Sequence, residues 1–516
     1  MEEFISKKIK TPNELAKLVP NFKKKGKKII QCHGVFDLIH PGHLIYFEQA
    51  KQLGDVLIVS ITADEFVNKG PGFPIFNETI RAKSLAILEI VDYVTIDKHT
   101  SAVEIIKKIK PDIYFKGQEY EKALNDPERN LYQEAKAVQS IGGRIEFSYG
   151  PVYSSTRFLK EYFNIYPKET KEFLNNFNLK YKAEDLIKFL KDLQKMKVLV
   201  IGETIIDQYC YCKGMGKIPK DNLVGTKYIN EEVFAGGILA CANHMSGFYK
   251  QLDVITVIGE KSFIDLGQKP ADFIKNSLKS NIKSKVFIDK KGQTIVKQRF
   301  IDPAFFTKMF EIYYFDDREI SLDTSKKLNN YLEKVINKYD LVIVNDYGHG
   351  LFSDRIIKTL IKRAKFLAAG TQTNSANYGF NLITKYFNAD FVCLDEPEAR
   401  LAAGDKDCAI EELIKKISKA TSAKKTIITR GHLGAIALGK ESKIYKTPVF
   451  STNIVDRLGA GDAFFAISAG LSALKCPIEI VNFIGNVVGA MHVATIGNKE
   501  TIEPDKVYRF IKTLLK

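Results

Sequence analysis

His40 and His43 bracket Pro41 and Gly42 in the stretch GVFDLIHPGHL, residues 34–44. Two imidazoles three residues apart at such a turn admit three uses: a metal pair, a helix entry, or a grip on phosphate. The metal pair lacks a third His, Cys or carboxylate at a suggestive spacing nearby. Imidazole N–H groups at a strand-to-helix turn can donate to phosphate oxygens as negative charge builds during nucleotidyl transfer. Gly34 and Gly42 let the backbone approach a bulky anion closely. Capping and packing histidines are the plain alternative. A second stretch, Asp456-Arg457-Leu458-Gly459-Ala460-Gly461-Asp462, is a glycine turn opening into the small-residue run AFFAISAG. Backbone N–H groups of 459–461 could form an anion pocket at a helix N-terminus, with Asp462 aimed into it. A carboxylate so placed can take a proton from a substrate hydroxyl while the pocket stabilises a migrating phosphoryl group. The plain alternative here is a C-cap turn with a solvated aspartate.

The elements that must position these residues follow from periodicity. KKIIQCH (27–33) reads as a buried strand, HLIYFEQAKQLG (43–54) as a helix ending at glycine, and DVLIVSIT (55–62) as the next strand of a βαβ unit. A helix over 78–90, strands at 92–96 and 112–117, a helix over 128–140 and a strand at 144–148 complete an open sheet. SSTRFLKEYF (154–163) reads as a closing helix with a serine cap. From 164 to 182 the pattern is polar and aromatic without clear period, which predicts an inter-domain linker, followed by an amphipathic helix over 183–196. MKVLVIGETIIDQY then opens a second α/β core that runs to the C-terminus. Strand and helix periods alternate throughout, the pattern of parallel α/β domains. The expected organisation is a first domain over 1–163, a linker and lead-in helix over 164–195, and a second domain over 196–516.

Composition narrows the classes. The 516-residue chain is 45% hydrophobic and 27% charged, with no apolar run of membrane-span length and no signal-type N-terminus. Seven scattered cysteines, an odd number without a CxxC pair, argue against a disulfide framework or zinc site. The expectation is a cytoplasmic protein without a membrane partner. The formal charge of +16 is spread along the chain rather than gathered in one arm, so it suits acidic small substrates as well as nucleic acid.

GVFDLIHPGH resembles the signature of the cytidylyltransferase-like nucleotidyltransferases. ITADEF (61–66), Arg81 on the helix leading to VDYV (91–94), YFKGQEY (114–120) and GPVYSSTRFL (150–159) match further segments of that group. The KG loop and the SST helix are more similar to heptose-1-phosphate adenylyltransferases than to glycerol-phosphate or choline-phosphate enzymes. The resemblance covers about 30–163. It implies a Rossmann-like domain with a parallel sheet, His40 and His43 in catalysis, and nucleotide contacts from Gly34, Phe36, Gly42, Lys116, Ser154, Ser155 and Thr156. The implied reaction is in-line attack of a sugar-phosphate oxygen on the α-phosphorus of ATP, CTP or another NTP, with Mg²⁺. HxGH also occurs in class I aminoacyl-tRNA synthetases, but their KMSKS-like loop has no match here; KSNIKS (279–284) has the wrong spacing.

The second core resembles the ribokinase-like (PfkB) carbohydrate kinases from about 196 to 516. Asp207 in VLVIGETIIDQY, and Gly236, Gly237 and Asn243 in AGGILACANH, match positions that hold the sugar. DYGHG (346–350) resembles the family's DYxKG turn and TRGHLGA (429–435) the approach to the ATP site. The resemblance implies an α/β sandwich with a small β lid, Asp462 as catalytic base and 459–461 as the anion hole. Two departures stand out: the NxxE motif that orders Mg²⁺ reads Asp395-Glu396-Pro397-Glu398, and a segment where relatives carry a DPK-like strand end is the neutral GTQTNSANYGF (370–380). Glu398 and Asp395 are the implied indirect Mg²⁺ residues.

Together the halves resemble the bifunctional heptose kinase/adenylyltransferases, with the transferase preceding the kinase instead of following it. The implied function is phosphorylation of a heptose-phosphate-like sugar and conversion of a sugar 1-phosphate to an NDP-sugar, feeding ADP-heptose and lipopolysaccharide synthesis. Partners would be sugar phosphates and nucleotides, in a homodimer, with no nucleic acid. The other readings are a nucleotidyltransferase with a weak or inactive kinase-like domain, and a basic nucleic-acid-binding protein.

Overall fold

The computed structural model describes residues 2–124, 126, 130–149, 166–262, 264, 266–304, 306–316, 318–375, 377–439, 441–451 and 454–516. The chain falls into two compact units, 1–167 and 168–515. Among the described residues no helix is long and apolar enough to cross a membrane.

The first unit is built on β1 (Ile29–Gly34), β2 (Val56–Thr62), β3 (Tyr93–Asp97), β4 (Ile113–Lys116) and β5 (Arg144–Phe147), in the order β3-β2-β1-β4-β5. Every pairing is parallel, with Ile29 opposite Val56 and Gly34 opposite Ile61. Every residue of β2 is buried, as a near-continuous apolar strand covered on both faces must be. One core on β1 and β2 gathers Ile30, Phe47, Leu57, Val59 and Leu85. The opposite one joins Ile29, Ile58, Ile105 and Ile106 to Leu15 and Val19. Those last two lie on the helix Pro12–Lys24, started by a Thr11–Glu14 capping box and not anticipated from the sequence. The chain builds outward from β1 to β2 and β3, then returns to β4 on its other side. The carboxyl end of β1 is therefore the switch point where an open sheet leaves a crevice. The serine-capped helix expected over 154–163, with Ser154, Ser155 and Thr156, lies outside the described residues.

The second unit corrects the linker reading. Lys168–Lys180 is a helix whose buried Thr170, Leu174 and Phe177 fall on one face. Phe177 stacks on Phe483 at 4.3 Å, so the aromatic residues that blurred the period are packing residues. A nine-stranded sheet follows, containing β6 (Val198–Gly202), β9 (Leu252–Lys261), β10 (Ile282–Gln293), β13 (Leu341–Asp346), β14 (Leu367–Thr371), β15 (Phe391–Asp395), β16 (Lys425–Thr429), β17 (Ala435–Leu438) and β18 (Ile444–Thr447). Its order is β10-β9-β6-β13-β14-β15-β16-β17-β18, parallel up to β16 and antiparallel beyond. A separate four-stranded lid, β12-β11-β7-β8, is made of β7 (Thr204–Lys217), β8 (Val224–Gly237), β11 (Ile295–Asp302) and β12 (Thr307–Tyr314). The chain leaves the main sheet at Gly202 and enters the lid at Thr204, with only Glu203 between. That junction carries Asp207 to the base of the lid.

Candidate active sites

In the first unit His40 is the N-cap of the helix Pro41–Gln52, reached through the turn 35–39 that follows the carboxyl end of β1. Pro41 at the first helical position forgoes an N–H that would have no acceptor there. The turn brings the imidazoles together: His40 and His43 stack at 3.9 Å between ring centroids, and the Phe36 ring meets His43 edge-on at 5.2 Å. Burial pushes the His43 pKa down to about 3, assisted by neighbouring His40 and Lys69, and burial also lowers His40. Both rings are thus neutral near pH 7, and a hydrogen bond to the Leu38 backbone holds His43 in place. The loop facing them is fixed by Asp37, whose carboxylate accepts from the N–H groups of Ile75 and Phe76 at 2.9 Å. Arg81 is a buried clamp: it donates to the carbonyls of Val35, Thr62 and Phe76 and pairs with Asp64 at 2.6 Å.

Lys69 is the residue here that sequence reading missed. It lies on the same loop, close enough to His43 to lower its pKa, and burial lowers its own pKa to about 8 against the opposing pull of Asp37. Among the described residues its ammonium has no ion pair or hydrogen bond, which leaves it available to an anion beside the histidines. Its signal was NKGPG, a lysine before a Gly-Pro-Gly turn between two matched segments. Lys116 departs from expectation in the other direction. Its ammonium is turned inward, 3.6 Å from Glu134 and 3.4 Å from the Tyr114 hydroxyl and the His33 carbonyl. Glu134 is held in turn by Tyr114 and the Ala102 N–H. Lys116 balances a buried carboxylate, and we assign it no phosphate contact.

In the second unit Gly459 caps the helix Ala460–Ala473 in the left-handed region (φ +82°), and a Cβ there would come within 2.8 Å of the Asn498 side chain. The Ala460 N–H donates to the Arg457 carbonyl at 3.4 Å, and the first turn beyond it is a helix N-terminus of the kind that can receive an anion. Asp462, in that turn, accepts from Gln372 Nε2 at 3.2 Å and Asn345 Nδ2 at 3.5 Å. Burial pushes its pKa up to about 7, with Asp207 adding to the rise, while the Tyr347 hydroxyl, Lys297 and Asn345 oppose it. Gln372 was unforeseen: it belongs to the neutral 370–380 segment, whose Asn377, with the following Asn381, also donates to the carbonyls of Tyr347 and Asp346 at 3.0 Å. The absence of charge there serves a hydrogen-bonded brace under the DYGHG turn.

Asp207 is buried and ion-paired with Arg299 of β11, which also reaches Glu311 at 3.1 Å. Gly236 is required beside it, since a Cβ would stand 2.2 Å from Asp207 Oδ2. Gly237 turns at φ +57° into the next helix. Asn243 is a correction: its Nδ2 donates to the Ser277 carbonyl at 2.9 Å and its Oδ1 accepts from the Lys279 N–H at 3.1 Å. Both ends brace the backbone, so we assign it no contact with a sugar.

Asp395 and Glu398 form a reciprocal capping box at the start of the helix Glu396–Ala403, and Glu398 also accepts from the Thr373 N–H at 2.9 Å. Asp replaces Asn without loss because both cap well. Burial and the nearby Asp395, with Asp462 beyond, push Glu398 up to about 8. Glu398 is half-buried, and its two oxygens, each accepting one backbone N–H, keep lone pairs that fit a divalent ion. No group of three or more ligating side chains occurs among the described residues, so such an ion would be completed by nucleotide phosphates and water.

A β-lidded α/β domain with a Gly-Ala-Gly-Asp helix start is the architecture of a sugar kinase. Residues 195–505 match the model of the pfkB family of carbohydrate kinases, and the chain belongs to that family. Residues 32–161 match the cytidylyltransferase-like family model. The bifunctional protein HldE of Desulfatibacillum aliphaticivorans is 41% identical over 140 residues, 27% of this chain and 27% of that protein. That of Aliarcobacter butzleri is 41% identical over 138 residues, 26% of this chain and 29% of that protein. The chain thus matches little more than a quarter of these relatives' length, in its N-terminal part, and its domain order is the reverse of theirs. Phosphofructokinase-2 from Escherichia coli, in a crystal structure with potassium, aligns with 62% of this chain and 100% of its own at 12% identity and a TM-score of 0.51, a likeness of fold.

Proposed function

We propose that the chain is a bifunctional enzyme of nucleotide-sugar synthesis, an ATP-dependent sugar kinase and a sugar-1-phosphate nucleotidyltransferase. The observation that carries this reading is the pair of helix N-termini: each unit starts a helix at the candidate turn and sets His40 with His43, or Asp462, at its cap or in its first turn.

In the kinase reading, Asp462 takes the proton of the acceptor hydroxyl as its oxygen attacks the γ-phosphorus of ATP. The N–H groups of Gly461 and Asp462 receive the charge on the transferring group, and ADP leaves. A carboxyl of pKa near 7 suits a base at neutral pH. Glu398, with Asp395, would hold Mg²⁺, which supplies charge neutralisation on the nucleotide phosphates. In the transferase reading, a sugar-phosphate oxygen attacks the α-phosphorus of the NTP and pyrophosphate departs. His40, His43 and Lys69 then surround the charge that accumulates. The HldE relatives favour ATP and a heptose phosphate as the substrates. Exposed Val224, Tyr228 and Phe310 on the lid support the expected homodimer. The test is incubation with ATP, CTP or GTP and a panel of sugars and sugar phosphates, products read by mass. The reading expects ADP with a sugar 1-phosphate from one half-reaction and an NDP-sugar with pyrophosphate from the other; neither product from any pair would overturn it.

A further inference from the structure

Asp456 opens the glycine turn of the second unit, and its side chain is buried, 2% exposed. Both of its oxygens are occupied. Oδ1 accepts from the Leu458 N–H at 3.1 Å and from Lys308 Nζ at 2.7 Å. Oδ2 accepts from the Gly497 N–H at 3.0 Å and from the Tyr209 hydroxyl at 3.2 Å. These partners come from separate parts of the domain. Leu458 directly precedes the Gly459 cap, and Gly497 follows the helix Ile478–His492. Tyr209 and Lys308 stand on β7 and β12 of the lid. Gly497 turns at φ +49°, and a Cβ there would come within 2.8 Å of the Tyr209 hydroxyl. Lid and segment are tied a second time by Lys499 and Glu232 of β8, at 2.8 Å. Between these two ties lies Asn498, the residue that packs against Gly459. Lid, phosphate turn and the 497–499 segment therefore meet on one carboxylate.

A carboxylate withdrawn from water is costly unless a cation neutralises it. Here the cost falls on function as well, because a bare negative charge at the entrance of an anion-receiving turn repels the anion. Among the described residues Lys308 is the cation paired with Asp456, and it is carried by the lid instead of by the turn. Its ammonium and the Leu458 N–H share Oδ1, so the seating of β12 and the shape of the turn are set at the same atom. We propose that Asp456 is a positioning residue for phosphoryl transfer and that Lys308 is its lid-borne counter-ion. Lys308 cancels the charge beside the turn and fixes the carboxylate that holds Leu458 and Gly497, and through them the Gly459 cap. The pair rests on the kinase reading above and touches neither the sugar nor the nucleotide.

The experiment compares full-length wild type, Lys308→Ala, Lys308→Arg and the double variant Lys308→Ala/Asp456→Asn, in initial rates of ADP release and in amide hydrogen exchange. Lys308→Ala should lower kcat about 100-fold, the scale of misplacing a catalytic group by about 1 Å, while KM for ATP and for sugar moves less than about threefold. Lys308→Arg keeps the charge and should stay within about tenfold of wild type. The double variant strands no charge and should turn over at least about tenfold faster than Lys308→Ala. Propylammonium chloride, replacing the lost ammonium, should raise kcat of Lys308→Ala saturably, and sodium chloride at the same concentration should not. Exchange at 457–462 and 495–499 should quicken in Lys308→Ala and slow again with propylammonium, which separates a loosened turn from an unfolded domain. If Lys308→Ala does not fold, Lys308→Gln is judged by the same kcat and exchange criteria. Wild-type kcat in the variant, or a loss that neither propylammonium nor Asp456→Asn relieves, overturns the pair and leaves the kinase reading standing. No ADP from wild type with any sugar, but faster exchange at 457–462 in the variant, removes the kinase reading and keeps the pair. Unchanged exchange in the variant overturns the pair whatever the rates.

Discussion

Replacing Asp462 by Asn tests the base and its electrostatic cost together. The amide keeps an oxygen to accept from Gln372 and Asn345, so the shape of the turn survives while the proton acceptor is lost. General-base catalysis is worth about 10²–10⁴ in rate, and ADP release should fall by that factor. Stability should move the opposite way. A carboxyl raised from its ordinary 3.8 to about 7 disfavours the charged form in the folded state, so native stability is lost as pH rises through that interval. Between pH 5 and 8 the wild type should lose at most about 3 kcal/mol through this group, discounted because Asp462 is partly exposed. Asp462→Asn escapes that loss. The assays are initial rates of ADP release and thermal unfolding of both proteins at pH 5 and pH 8. The variant should melt relatively higher at pH 8 than at pH 5. Near-wild-type ADP release, or a stability difference independent of pH, would refute the reasoning.

Wild-type ADP release should fall about tenfold per pH unit below pH 7, as Asp462 takes up its proton, in initial rates at saturating ATP; a flat profile down to pH 5.5 contradicts a base of that pKa. His43→Ala should lower pyrophosphate release by about 100-fold or more, the scale of losing one oriented donor, with the melting curve little changed. Lys116→Met should act on the fold instead of the chemistry: it strands buried Glu134, which costs about 3–5 kcal/mol by denaturant titration. A raised KM for nucleotide with intact stability would restore Lys116 to the phosphate site. Glu398→Gln should raise the Mg²⁺ concentration needed for half-maximal ADP release several-fold; an unchanged requirement would remove Glu398 from the ion's surroundings.

The alternation of strand and helix was legible because it is local, and so were the turns that carry His40, His43 and Asp462. Each sits where an apolar run meets a glycine and a helix start, and those signals lie within a few residues. What the sequence concealed is set by pairing at a distance. Asp207 meets Arg299 from 92 residues away, and only the β7–β11 register puts Lys297 beside it. Lys116 and Asn243 sit in matching motifs, yet their hydrogen bonds go to Glu134 and to the 277–279 backbone, partners no motif specifies. The segment 168–180 looked irregular because its aromatic residues pack on Phe483 across the fold.

The central claim is that two separate phosphate-handling turns run two reactions. It is tested most directly by quantifying ADP and pyrophosphate from the same preparations of wild type, His43→Ala and Asp462→Asn, supplied with both half-reactions' substrates. The account predicts reciprocal loss: His43→Ala keeps ADP release and loses pyrophosphate, and Asp462→Asn does the reverse. One substitution abolishing both products, or neither substitution affecting its own, would contradict it.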